Sequence, residues 1–429
     1  MTSPEPSLSL TAAADLLRRR SFLDGPSGTV GVELEWLVVP LARSGPVSRS
    51  EGRSGPVTAT AEAVDGLPPL PGGSRLTMEP GGQLELSSPA APNAEAAVAA
   101  VTADVAVART HLAGLGLGLL GMGLHPDGPR PLVQPSSRYR AMDAYFSATG
   151  PAGRTMMTAT ASVQVNLDAG PSERHQDRWT AAHRLAPVLA SAFANSPVAF
   201  GRASGLRSAR LSTWAAIDPT RTAPAWQPTQ GCDSWAGYAL DARVMFIRTD
   251  DGRFHPVPEH LTFAGWITGG HPLGHPTAGD LAYHLTTLFP PVRPRGWLEL
   301  RFLDALPPPW WPVAVAVTAT LLDDEAAMAE ASASAAGVTG CWADAARYGP
   351  AHPALDGAAR RCFDIALSAL AGRNGAPALV DAVATYVDRF VARSRCPADE
   401  RLDSWHRTGS CMLPEDGLDQ LACAPADAC

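Results

Sequence analysis

The 429-residue sequence contains no lysine, and all 34 basic residues are arginine. That absence removes the lysine of a G-x-x-x-x-G-K-[ST] loop and the strand lysine of protein kinases. If a nucleotide is used, metal ions, arginines and backbone must hold its phosphates. Cysteine is scarce and unpatterned: seven residues, an odd number with no C-x-x-C pair, set up no disulfide framework. Cys411, Cys423 and Cys429, with His406 nearby, match no zinc spacing, so reduced thiols are expected. Basic charge is not in excess either. A net charge of -8 and a pI near 5.8 argue against nucleic acid or an acidic membrane surface as partner. The most apolar late stretch, WWPVAVAVTATLL from Trp310, follows three prolines and ends at Asp323, too short to span a bilayer. The opening MTSPEPSLSL has neither a basic leader nor an apolar signal run. A cytoplasmic protein handling small molecules is expected.

What is present allows a large core, with 45% hydrophobic and 18% charged residues. Periodicity and punctuation predict a helix over 11–22, a strand over 30–39, a solvated Gly/Ser/Arg loop over 41–57, and a strand over 82–87 entered through Pro-Gly-Gly. A long alanine-rich surface helix follows the Asn93 cap. Strands are expected near 116–124, 159–168, 243–249 and 297–303, with helices over 179–197 and 278–288. The chain then reads as helical from 310 to about 395. The expected organisation is one catalytic domain over 1–400, sheet-rich at 25–305 and helical at 306–395, with an irregular tail at 401–429. Strands and helices do not alternate strictly, which favours an α+β fold whose antiparallel sheet has one face on helices and one face open.

Four strands share one pattern. In GVELEW, Val32, Leu34 and Trp36 alternate with Glu33 and Glu35; in GGQLELSS, Leu84 and Leu86 alternate with Gln83 and Glu85. In ASVQVNLD, Val163 and Val165 alternate with Gln164 and Asn166; in WLELRFLD, Leu298, Leu300 and Phe302 alternate with Glu299 and Arg301. Any half-solvated strand alternates, but solvent faces usually mix Thr, Ser, Lys and Arg, whereas these positions are nearly all oxygen donors. Gathered in one concavity, such carboxylates raise one another's pKa unless a cation neutralises them. Hard oxygen ligands of this kind suit Mg²⁺ or Mn²⁺, with positions left for water and phosphate. Carboxylates plus an arginine, without a P-loop, point to phosphoryl transfer. A metal-dependent hydrolase uses similar parts but usually adds histidines, which none of the four faces carries.

GVELEW, LTMEPGGQLELSS, SSRYRAM, MMTATASVQVNLD, ANSPVAFGRASGLRSARLSTW, YALDARVMFIR and HLTTLFPPVRPRGWLELRFLD, in that order, resemble the plant-like branch of the glutamate–cysteine ligase family. The likeness is greatest to its actinobacterial members serving ergothioneine biosynthesis. It runs from about residue 30 to 310; EPGGQLELS and SVQVNLD are its specific parts. The resemblance implies a glutamine-synthetase-like fold, a curved, mostly antiparallel sheet forming an open funnel with helices outside. It also implies ATP-dependent joining of the glutamate γ-carboxylate to the cysteine amine through a γ-glutamyl phosphate. By resemblance, Glu33, Glu35, Glu85 and Glu299 fall on metal-binding carboxylates, with Glu79 a further ligand or substrate contact. Gln164 and Asn166 fall where the family supports metal and nucleotide phosphate, and Arg301 on the arginine facing the transferring phosphoryl group. Arg210 and Arg248 would hold the glutamate carboxylate, with Trp214 packed nearby.

Several of these positions have plainer readings. Glu79 before Pro-Gly-Gly could be a solvated turn residue, and Asn195 and Ser196 only the stop of a helix before Pro197. Arg138 and Tyr139 could be a surface ion pair and a core aromatic, and His284 a packed helical histidine. Related alternatives are a carboxylate–amine ligase using another amine, and a non-catalytic binder, which would lack acidic ligands or the phosphate-facing arginine. Disulfide regulation, as in plant enzymes, is not carried over, because only Cys232 lies in the motif region.

Overall fold

The computed structural model describes residues 7–41, 55–133, 136–249, 251–257, 259–372 and 377–418. The expected loop at 42–54 and the last two cysteines therefore lie outside the described residues. Strands, in chain order, are β1 (Val30–Pro40), β2 (Arg75–Met78), β3 (Leu84–Ser87), β4 (Leu117–Leu120), β5 (Ser162–Asp168), β6 (Val198–Ala199), β7 (Arg202–Ala203), β8 (Phe246–Arg248), β9 (Phe254–Pro256), β10 (Val292–Pro294) and β11 (Trp297–Asp304). The main sheet runs β10-β11-β5-β1-β3-β2, with β4 also pairing β1, and every ladder in it is antiparallel.

Alternation makes this sheet two-sided. Val32, Leu34, Leu84, Leu86, Val163, Val165, Leu167, Leu298 and Leu300 are all buried in one core, together with Trp36 and Phe302. The helix Trp311–Asp323 lies on that face, buried nearly along its whole length, beside Ala94–Gly114 and His175–Ala192. Ala94–Gly114 is long and apolar enough, by length and composition, to cross a membrane. Here it is capped by Asn93, whose side chain accepts from Ala96 N at 2.8 Å, and it lays Ala97, Val101, Val105 and Leu112 into the core. The surface helix read from sequence thus covers the sheet with one face.

Some expectations shift. The loop read through residue 57 becomes helical from Gly55 to Asp65. The irregular tail expected from 401 is instead a helix, Pro397–Thr408, followed by a 3-10 turn at Pro414–Asp416. Arg401 and Asp416 are both fully buried there and joined at 2.8 Å. Arg401 also donates to Asn195 Oδ1 at 2.6 Å and to Gly121 O at 2.9 Å. The segment is thereby tied into the end of the sheet, a long-range connection that local polarity does not reveal. Asn195 and Ser196, read as a possible helix stop, both donate to buried Asp304, through backbone N at 2.8 Å and Oγ at 2.7 Å.

Candidate active site

Register brings the polar residues of four strands onto one face. Glu35 lies across from Glu85, Glu33 from Gln164, and Glu299 from Asn166. β2 and β3 are joined by the Pro-Gly-Gly turn, whose geometry depends on its glycines. A Cβ on Gly81 would sit 2.3 Å from Thr158 O, and Gly82 has φ +86°. Glu79 N donates to Gln83 O at 2.8 Å across that turn. Gln83, read as sharing the polar face of its strand with Glu85, lies just outside β3 and is buried. Its side chain accepts from Gly81 N and donates to Thr160 O, both at 3.0 Å, so it clamps the turn.

Side-chain amides link the floor. Gln164 Nε2 donates to Glu35 at 3.0 Å while its Oε1 accepts from Arg301 at 2.6 Å. Asn166 Nδ2 donates to Glu33 at 3.1 Å while its Oδ1 accepts from the Trp297 indole at 3.0 Å.

Electrostatics separates the acids into two groups. Burial pushes the Glu33 and Glu85 carboxyls up, Glu33 further through Glu299 and Glu85, and Glu85 through Glu35. Glu35 is also raised by burial, against the pull of Arg210 and Arg301. Glu79 is pushed up to about 8 by burial and by Glu85 and Glu35, so it belongs to the acidic floor and is not a solvated turn residue. Glu299 goes the other way: burial opposes ionisation, but Arg293 and Arg301 hold it below the usual carboxylate range.

Glu299, expected as a metal-binding carboxylate, is here bonded to arginines. Oε2 accepts from Arg293 Nε at 2.6 Å and Arg301 at 3.0 Å; Oε1 accepts from Arg293 Nη2 and Arg295, each at 3.1 Å. A carboxylate has about four lone-pair positions, and all are engaged. Glu299 anchors three arginines. Arg293 faces it across the β10–β11 ladder, and the alternating arginines of PVRPRGWLELR were the sequence signal for this cluster.

Two cavities adjoin these arginines. The larger, about 830 Å³, is lined by Arg20, Arg75, Arg138, Arg293 and Arg295 together with apolar residues such as Leu281 and Trp235. Tyr139 lines it as well. Arg138 donates to Tyr283 Oη at 2.7 Å and to Thr286 O at 3.0 Å. The other cavity is only about 30 Å³ and is lined by Arg210, Trp214, Phe289 and Arg301. Arg210 Nε and Nη1, Arg301 Nε and Trp214 Nε1 are buried there without a hydrogen-bond acceptor. Its volume suits one carboxylate-sized group. Arg210 is otherwise held by its bond to Arg301 O at 2.7 Å and by Asp304 at 3.8 Å. Arg248, expected beside Arg210, instead lines a different cavity on the β8–β9 hairpin, its guanidinium 4.8 Å from the Tyr283 ring centre. His284 is a packed histidine, hydrogen-bonded to Ala239 O at 3.0 Å and pushed down to about 3 by burial.

The donor set fits a hard divalent cation. Four glutamates that disfavour one another's ionisation are gathered together, with the charge of Arg301 acting on all four. Among the described residues no three His, Cys, Asp or Glu side chains are grouped so as to hold a metal ion as they stand. An open acidic floor suits Mg²⁺, which keeps waters and takes phosphate oxygens as further ligands.

An antiparallel sheet with acidic side chains on one face and arginine-lined cavities beside it is a fold shared with a solved glutamate–cysteine ligase. The solved glutamate–cysteine ligase of Francisella tularensis, in complex with AMP, superposes with a TM-score of 0.53 over 94% of this chain and 91% of that one, at 13% identity, a likeness of fold alone. The chain belongs to glutamate–cysteine ligase family 2 (GCS2), whose profile matches residues 29–411. It is 42% identical to the glutamate–cysteine ligase EgtA of Mycolicibacterium smegmatis over 91% of this chain and 90% of that protein. It is 32% identical to the chloroplastic glutamate–cysteine ligase of Brassica juncea over 55% of this chain and 47% of that one.

Proposed function

We propose that the protein joins the γ-carboxylate of glutamate to the amine of cysteine at the expense of ATP, giving γ-glutamylcysteine for ergothioneine synthesis. The observation that carries this reading is the placement of Arg301. It lies between the acidic floor and the small cavity of unpaired N–H donors, on a strand whose Glu299 also binds Arg295 at the mouth of the large cavity.

A carboxylate does not condense with an amine in water unless it is first activated. The large cavity takes ATP, its phosphates directed to the arginines at the sheet edge. Glu33, Glu35, Glu79 and Glu85 would hold Mg²⁺, with Gln164 and Asn166 orienting Glu35 and Glu33. Bound there, the ion supplies neutralisation of phosphate charge. Arg210 and Trp214 bind a glutamate carboxylate with their unpaired donors, while Arg301 stabilises charge on the phosphoryl group as it passes to the γ-carboxylate. Glu299 keeps Arg301 and Arg295 in place. The cysteine amine then displaces phosphate from the acyl phosphate. The free thiols Cys232, Cys341, Cys362, Cys396 and Cys411 suit a reducing, cytoplasmic setting.

Purified protein incubated with glutamate, MgATP and either cysteine or other amines tests this directly, by ADP release and product mass. ADP and γ-glutamylcysteine are expected with cysteine. ADP formation only with another amine would replace cysteine as acceptor, and no γ-glutamyl product with any amine would overturn the reading.

A further inference from the structure

Asn166 and Gln164 each bridge a floor carboxylate to a second residue, and in both cases that residue decides which way the amide faces. Arg301 and the Trp297 indole are donors only, so each must meet an amide oxygen. For Asn166, the 3.0 Å contact with Trp297 therefore leaves Nδ2 to donate to Glu33 at 3.1 Å.

We propose that Trp297 is a positioning residue of the acidic floor: its indole N–H locks the Asn166 amide so that Glu33 is held in the orientation that receives the divalent cation. This rests on the reading of Glu33 as a metal-binding carboxylate. Without the indole N–H, Asn166 is free to turn half around. Its oxygen then faces the Glu33 carboxylate, acceptor against acceptor, and the carboxylate is displaced.

The position of Trp297 supports a specific role for that N–H. It shares the funnel face of β11 with Glu299 and Arg301 by period two. It is 37% exposed, a location where burial alone does not call for tryptophan. Its ring also carries the Arg295 guanidinium, 5.2 Å from the ring centre, and Arg295 in turn donates to Glu299. Trp297→Phe retains an aromatic ring beside Arg295 and removes the hydrogen-bond donor together with part of the ring area.

The test is Mn²⁺ binding to nucleotide-free protein, followed by electron paramagnetic resonance, for wild type, Trp297→Phe, Asn166→Ala and the double variant. Trp297→Phe is expected to weaken Mn²⁺ binding about tenfold, as for other residues that orient metal ligands. The double variant is expected to bind no more weakly than Asn166→Ala, because Trp297 acts through Asn166. Asn166→Ser completes the same cycle if the alanine variant does not fold. Losses that multiply in the double variant overturn the proposal. Wild-type binding left unchanged by Trp297→Phe overturns it alone. A wild-type protein that binds no Mn²⁺ sinks both this proposal and the functional reading beneath it.

Discussion

Glu35 on β1 and Glu85 on β3 lie directly across from each other in the antiparallel ladder. Like charges at that spacing destabilise a sheet. Here both carboxyls are raised by burial, and Glu35 adds to the rise of Glu85. The sheet carries this cost at its centre, on the face that opens to the funnel.

Metal-free protein is therefore expected to lose stability as pH rises. Glu79 has a folded pKa raised to about 8 from an ordinary 4.5. The folded state thus binds more protons than the unfolded chain between those values, and stability falls with rising pH across that window. Thermal unfolding of metal-free protein is expected to move down by a few degrees between pH 5 and pH 8.5, and Mg²⁺ is expected to flatten the profile. A melting temperature that rises over this range without metal would contradict the placement of Glu79.

Mg²⁺ binding near pH 7 is expected to release protons from the same cluster, since a carboxylate ligates in its ionised form. Titration calorimetry in buffers of different ionisation enthalpy reads this as a buffer-dependent heat. Heats identical in all buffers would place the cation away from Glu79.

Arg301→Ala is expected to lower kcat by about 10³-fold or more, the scale of an arginine acting on a transferring phosphoryl group. Glu299→Gln removes the charge that gathers Arg293, Arg295 and Arg301 and is expected to abolish turnover as well. Circular dichroism of both variants should match wild type. Near-normal turnover by either would remove these residues from the site.

Arg210→Met addresses the small cavity. Charge-assisted hydrogen bonds to a carboxylate are worth about 1.5–3 kcal/mol, so KM for glutamate is expected to rise about tenfold or more. KM for ATP should stay within about twofold, because a uniform-binding loss stays with the substrate concerned. Equal changes in both constants would argue for general distortion.

Arg401→Met probes the C-terminal segment. It leaves Asp416 fully buried without its partner. Breaking such a pair costs about 3–5 kcal/mol, to be read from the urea midpoint. A variant as stable as wild type would show that the 397–418 segment does not brace the sheet.

Much of the site was legible because a strand's period of two is visible in sequence. Glu33 and Glu35, Gln164 and Asn166, and Glu299 and Arg301 had to share faces once their strands formed, and the apolar alternates had to be buried. The order in which these strands pair was not legible from spacing, since antiparallel ladders join residues more than 100 positions apart, as Glu33 and Gln164 are. Glu79 was ambiguous because a Glu-Pro-Gly-Gly turn is equally good in solvent, and only the packing of Gly81 on Thr158 draws it under the funnel.

The sequence by itself determined the class of chemistry: no lysine, an acidic set of oxygen donors at alternate positions along four strands, and one arginine among them. Tertiary structure decided which charges each of those acids meets. Glu33, Glu35, Glu79 and Glu85 are raised by burial and by one another, whereas Glu299 meets three arginines, two of which come from the neighbouring β10 strand and the tight turn after it. It also set Arg248 in a different cavity from Arg210 and drew Arg401 and Asp416 into the interior. The physical reason is the same in each case. Local pattern sets which way a side chain points, but the charge it meets depends on elements that are distant in the chain.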